Sequence, residues 1–193
     1  MRKEVTIMAN INHYLFEGKK LFATGYPEAS IEYFTKAEQE GCNPVNVFLN
    51  RGAAYLTVGD LDNSVNDFTR VLDFDADNER AFYYRGITYL RKGEYEKAVD
   101  DLNKSINLNH ERGAAFFARG LAEAELGYTE ESLRDFKTAI AFSNREVERF
   151  ASLFGENRTL FDKSIALLEG DRGPWSIVMN EDEVNKLKKW IEH

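Results

Sequence analysis

The chain has 193 residues, of which 43% are hydrophobic and 30% charged, and its 25 basic and 33 acidic side chains give a net charge of -8. That length suits one continuous core, and the ordinary apolar-to-charged balance excludes a mainly disordered chain. The negative charge, with no run of Lys and Arg to offset it, argues against nucleic acid as a partner. No stretch nears the roughly 18 apolar residues of a membrane span, and the single cysteine, Cys42, excludes an internal disulfide.

Residues 1–10 read as an N-terminal extension without the apolar run of a signal peptide, so the cytoplasm is the expected compartment. From residue 11 a thirty-four-residue interval takes over: Gly18, Gly52, Gly86 and Gly120 form one series, and Gly25, Gly59, Gly93 and Gly127 a second. Phe34, Phe68, Leu102 and Phe136 supply a large apolar residue at the same interval, and Ser30, Ser64, Ala98 and Ser132 a small one. Units 11–44, 45–78, 79–112 and 113–146 each hold two apolar-periodic stretches of about fourteen residues split at the second glycine, which predicts four helical hairpins. A glycine inside a helix costs about 1 kcal/mol relative to Ala. Gly52 therefore predicts a close helix approach, with the small Ser64 or Ala98 as the expected partner surface. Val58-Gly59-Asp60 and Lys92-Gly93-Glu94 predict a positive-φ helix end followed by an acid that opens the next helix. One hairpin buries a single face, so at least three must stack to close a core.

Comparing the units exposes a pairing. Arg51, Arg85 and Arg119 each precede an aspartate by sixteen residues (Asp67, Asp101, Asp135), and in the first unit both places change together, to Glu17 and Tyr33. Three Arg–Asp bridges follow, each worth about 0.2–1 kcal/mol if exposed.

After residue 146 the interval is lost while helical spacing continues through Val147, Phe150, Phe154, Leu160, Ile165 and Leu168. Residues 147–193 are expected to be capping helices and a tail that cover the last hairpin. Asn180 with Glu183 resembles a capping box opening a final helix. Trp175–Met179 either packs on the cap or lies in a groove, its own or a neighbour's, as an autoinhibitory or dimerising strand.

Arg51-Gly52-Ala53-Ala54-Tyr55-Leu56 with Asp67-Phe68, and Phe82-Tyr83-Tyr84-Arg85-Gly86-Ile87-Thr88-Tyr89 with Ala98-Val99-Asp100-Asp101-Leu102, resemble the tetratricopeptide-repeat family over about residues 11–146. The proline common near the end of that family's second helix is replaced by Cys42, Ala76, His110 and Asn144, and Pro44 comes two residues late. The resemblance implies an all-α fold: a right-handed α-solenoid of four helix-turn-helix hairpins plus C-terminal capping helices. It also implies a protein–protein interaction module, an adaptor, scaffold or co-chaperone-like protein, that binds a partner peptide or protein segment in a concave groove.

The first helix of every hairpin would line that groove, with Asn12, Phe16, Lys19, Asn46, Asn50, Arg80, Tyr83, Tyr84 and Phe117 as the candidate binding residues. Asparagines can hold an extended backbone through donor and acceptor, and aromatics supply anchor area. The competing reading is that Leu49, Tyr83 and Phe117 simply pack between hairpins. The family's carboxylate clamp would fall on Leu15, Lys19, Asn50, Arg80 and Tyr84, of which only Asn50 and the basic Arg80 fit. An apolar peptide with an acidic group near Lys19 or Arg80 suits the lining better. His13, His110, His193 and Cys42 are scattered over different units, so no metal site, no cofactor and no catalytic constellation is expected. The alternative function is self-association, a homodimer held by the tail.

Overall fold

The computed structural model describes residues 2–142, with side chains from residue 13 to residue 139. The capping helices and tail expected over 147–193, Trp175–Met179 included, lie outside those residues. Eight helices follow in chain order, α1 Arg2–Ala23, α2 Pro27–Gln39, α3 Pro44–Val58, α4 Leu61–Phe74, α5 Glu79–Lys92, α6 Tyr95–Leu108, α7 Gly113–Glu125 and α8 Thr129–Phe142, and no strand occurs among the described residues. The fold class is the all-α hairpin repeat of the α-solenoids. Two compact units divide the chain, Met1–Thr88 and Tyr89–His193.

In the first unit α1 packs on α2, α2 on α3 and α3 on α4. The turns are built by one local device. Gly59 has φ 85, its amide donates to the Leu56 carbonyl (3.3 Å), and the Asp60 amide donates to the Tyr55 carbonyl (2.9 Å), which satisfies two otherwise orphaned carbonyls at the end of α3. The same bond pair closes α1 at Gly25 and Tyr26. It also closes α2 at Gly41 and Cys42, where the Cys42 amide donates to the Ala37 carbonyl (3.0 Å) and the side chain is buried. Cys42 is thus a turn residue, its thiol pushed up by burial and by Glu40. Pro44, late by the family pattern, is the first residue of α3, where its missing N–H costs nothing, and Asn43 caps that helix by accepting from the Asn46 amide at 3.1 Å. Asp60 caps α4 through the Asn63 amide (3.3 Å).

The glycine inside each first helix meets an aromatic ring. A Cβ on Gly18 would lie 2.7 Å from the Phe34 ring, and one on Gly52 would lie 2.9 Å from the Phe68 ring. The expected partner surface for Gly52 was Ser64. The structure instead sets Phe68 over the glycine, while the Ser64 hydroxyl donates to the Gly52 carbonyl at 3.0 Å. Both features need a bare Cα, because the ring and the second helix approach the same side of α3.

Arg51 is the electrostatic centre of this unit. Its Nε and Nη2 donate to the two Asp67 oxygens (2.8 and 2.9 Å), and its Nη1 reaches back to Glu38 (2.7 Å) and Thr35 (3.2 Å) on α2. The bridge is not a surface pair: Arg51 is 7% and Asp67 1% exposed. Packing between successive hairpins removes it from water, and a buried pair follows different energetics from a surface one. Burial works against the Arg51 charge, but its bonds to Asp67 and Glu38 hold its proton more tightly than usual. Arg85 repeats the backward bond, donating to Thr69 at 3.0 Å. Arg85 belongs to the first unit and Asp101 to the second, and their pairing stays an expectation.

In the second unit α6 packs on α7 and α7 on α8, with turns at Gly93 and Gly127 closed by the same bond pair. A Cβ on Gly120 would lie 2.9 Å from the Phe136 ring. Arg119 holds Asp135 through two bonds (2.6 and 2.7 Å) and reaches back to Asn103 (2.6 Å).

Candidate functional site

The first unit presents the residues expected to line a groove on α1, α3 and α5. Their spacing of three and four residues places them on one face of each helix. Phe16 is 64% exposed, Lys19, Asn46 and Arg80 are exposed, and Asn50 and Tyr84 are half-buried. Asn12 lies in α1, ahead of the described side chains. Tyr83 is only 4% exposed and Leu49 7%, so both are packing residues beneath the face.

Two details limit what this face can offer a ligand. The Asn50 amide nitrogen donates to the Asn46 carbonyl at 2.6 Å, so it serves its own helix and the side-chain oxygen is left as an acceptor. Tyr84 stacks on Phe68 with ring centres 5.7 Å apart and planes 15° apart, and meets the Tyr83 ring edge-on at 5.0 Å. The ring over Gly52 therefore also supports Tyr84, and the glycine sets the height of an aromatic surface on the next first helix.

Charge distinguishes the face further. Among the described side chains of this unit, Lys20 pairs with Glu17, Lys36 lies over the Tyr33 ring, Arg70 meets Glu38 and the Phe48 ring, Arg51 is fully engaged and Arg85 bonds Thr69. Lys19 and Arg80 are the described basic side chains of the unit that pair with no acid or ring. Both stand at lining positions, and none of the nine candidate residues is acidic.

The second unit is different. Phe117 is 1% exposed with its ring centre 5.2 Å from that of Phe136, and Ala114, Ala118 and Leu121, at the corresponding positions of α7, are buried as well. Phe117 is core. Among the described residues no group of three or more His, Cys, Asp or Glu side chains is placed to hold a metal ion, and no helix is long and apolar enough to cross a membrane. The reading from residues overlooked the backward partners of the arginines, Thr35, Thr69 and Asn103. All three are polar and spaced by the same thirty-four residues, a signal present in the sequence.

Family comparison fits this geometry. Two tetratricopeptide repeat models match, one over residues 45–78 and one over residues 79–112. The chain is a tetratricopeptide-repeat protein. Solved structures extend the likeness beyond the two matched repeats. The crystal structure of the MamA protein superposes with a TM-score of 0.66 at 18% identity, covering 95% of this chain and 94% of that one. A fragment of MamA from Desulfovibrio magneticus RS-1 superposes with a TM-score of 0.65 at 17% identity, covering 84% and 97%. At such identities the likeness is one of fold. No curated protein matches the chain. A tetratricopeptide-repeat chain is a protein–protein interaction module, and the candidate residues whose described side chains are exposed or half-buried belong to the first unit.

Proposed function

We propose that the chain is an adaptor or scaffold that grips a segment of a partner protein on the first-helix face of its first unit. The supporting observation is the combination of an exposed Phe16, a half-buried Tyr84 supported by Phe68 and the asparagine edge of α3. An extended segment would lay one apolar side chain on Phe16 and another on Tyr84 while its backbone amides donate to the free oxygen of Asn50. The carboxylate clamp known in the family does not suit this face, because Leu15 and Tyr84 occupy two of its polar places. The family's interaction role and the absence of any catalytic grouping in the sequence make a binding module the economical reading over an enzyme.

The test is affinity purification with the wild-type chain beside Asn50→Ala/Tyr84→Ala and Phe16→Ala, each checked for helicity by circular dichroism. Partners captured by the wild type should be lost or weakened in both variants. Identical partner lists would place the contact elsewhere.

A further inference from the structure

From the exposed Phe74 and the acids around it we infer that the end of α4 is a docking surface for a second copy of this chain, whose residues 184–191 are the occupant. The inference is separate from the groove, because none of these residues lines the first-helix face.

Phe74 is the last residue of α4 and 62% exposed. Its ring meets that of the buried Phe48, with centres 6.2 Å apart, and is otherwise open. The fold does not require an apolar residue there, since the same position of repeat one holds Glu40. Yet α6 and α8 also end on apolar residues at this position, Leu108, itself exposed, and Phe142. The charges beside Phe74 are likewise not explained by the fold. Asp73 and Asp75 flank it and Asp77 follows; all three are exposed, and among the described residues no base pairs with any of them. A helix C-terminus is the negative end of its dipole, so acids there cost stability where bases would add it, and the last turn of α4 holds no base. A bare ring among unanswered acids is complementary to an apolar segment that carries lysines.

The sequence contains such a segment beyond the described residues. Val184-Asn185-Lys186-Leu187-Lys188-Lys189-Trp190-Ile191 has three lysines, four apolar residues and no acid. On the final helix expected there, Val184, Leu187, Trp190 and Ile191 share one face, with Lys186 and Lys188 on its two borders. That face would cover Phe74 while the bordering lysines answer Asp73 and Asp77. Each copy carries both parts, so a reciprocal exchange closes a dimer.

The experiment is light scattering on the full chain over a concentration series, with Phe74→Ser, Asp73→Lys/Asp77→Lys and Lys186→Glu/Lys188→Glu beside the wild type, each checked for helicity by circular dichroism. The wild type should dimerise as concentration rises, and less so at high salt. Each variant should weaken the dimer on the order of tenfold. Asp73→Lys places a base in the last turn of α4, and Phe74 and Asp77 are exposed, so folding is not at stake. An equimolar mixture of the two charge variants should restore dimers, because each tail then meets a site of opposite sign on the other molecule. That rescue is not available to a tail folded onto its own chain. A wild type that stays monomeric overturns the inference, as do dimers indifferent to Phe74→Ser and to both reversals. Reversals that each abolish the dimer without rescue on mixing also overturn it, since the charges then do not meet across molecules. Dimers that survive both reversals but are lost in Asn50→Ala/Tyr84→Ala move the second copy to the first-helix groove and overturn this surface.

Discussion

Repeats two and four carry the same arginine, the same aspartate sixteen residues later and nearly the same two-bond bridge, yet one is satisfied and the other crowded. In repeat two the guanidinium of Arg51 sits beside the Tyr55 ring, at 6.0 Å, and its remaining donor is taken by Glu38 and Thr35. In repeat four the place of Tyr55 belongs to Glu123, which is 8% exposed. Its Oε1 lies 3.8 Å from Arg119, and its Oε2 is buried with no hydrogen-bond partner. Two buried carboxylates thus crowd one guanidinium, and the better bonds go to Asp135. One substitution at a repeated position turns a closed polar network into a frustrated one while the backbone keeps its pattern.

The largest expected effect would separate the two bridges. Asp67→Ala leaves Arg51 buried with Glu38 alone, and loss of one partner of a buried pair costs about 3–5 kcal/mol. Asp135→Ala frees Arg119 for Glu123, a carboxylate already beside it, so the loss should be clearly smaller. Urea unfolding of the two variants checks this, and equal losses would show that Glu123 does not substitute. The Arg51→Met/Asp67→Leu double variant should recover much of the Asp67→Ala loss, since a well-packed apolar pair avoids desolvating two charges.

A second difference appears with pH. Burial first, and Asp135 second, push the Glu123 carboxyl up to about 7, against the pull of Arg119. An acid whose folded value lies above its unfolded value of about 4.3 binds more protons when folded, so stability falls as pH rises between the two. At pH 8 the charged form costs up to roughly 3 kcal/mol relative to pH 4–5, the full size of that shift. Glu38 in the first unit is held below the usual range by Arg51 and Arg70 despite its burial, so its contribution is present above the unfolded value and is lost only in stronger acid. Unfolding measured at pH 5 and pH 8 should show wild type weaker at pH 8. Glu123→Gln, and Glu123→Tyr, which restores the residue of repeat two, should flatten that dependence. An unchanged slope in both would remove Glu123 as its source.

Much of this was legible before any coordinates, and the limit has a physical form. Local rules carry well. A positive φ belongs to glycine, so Gly59 and Gly93 marked their turns, and the joint change of Arg and Asp to Glu17 and Tyr33 betrayed a contact between positions sixteen apart. Burial depth did not carry, because it depends on stacking: the pairing of Arg51 with Asp67 was legible, but not that the bridge is buried. For the same reason Phe68, rather than Ser64, fills the space over Gly52, since a ring on the second helix reaches farther than a small residue one turn earlier. On the candidate face, sequence position put Tyr83 and Phe117 beside Tyr84 and Phe16, but one helical face has a rim and a floor. Only packing shows that the first two are floor.

The smallest effect tests that packing at one atom. The Ser64 hydroxyl donates to the Gly52 carbonyl and lies 3.1 Å from the Thr88 hydroxyl, whereas the Ser132 hydroxyl, at the same repeat position and 1% exposed, has no hydrogen-bond partner. Ser64→Ala removes a second hydrogen bond to the Gly52 carbonyl, which its own helix still satisfies, and the contact with the Thr88 hydroxyl, and should cost about 1 kcal/mol. Ser132→Ala removes an unsatisfied buried group with almost no change in shape, and should be neutral or slightly stabilising. Both variants can be measured in one denaturation series because the substitution and the helix position are identical. A loss at Ser132 equal to that at Ser64 would mean that the fourth repeat satisfies this hydroxyl in solution, and that its frustration is confined to Glu123.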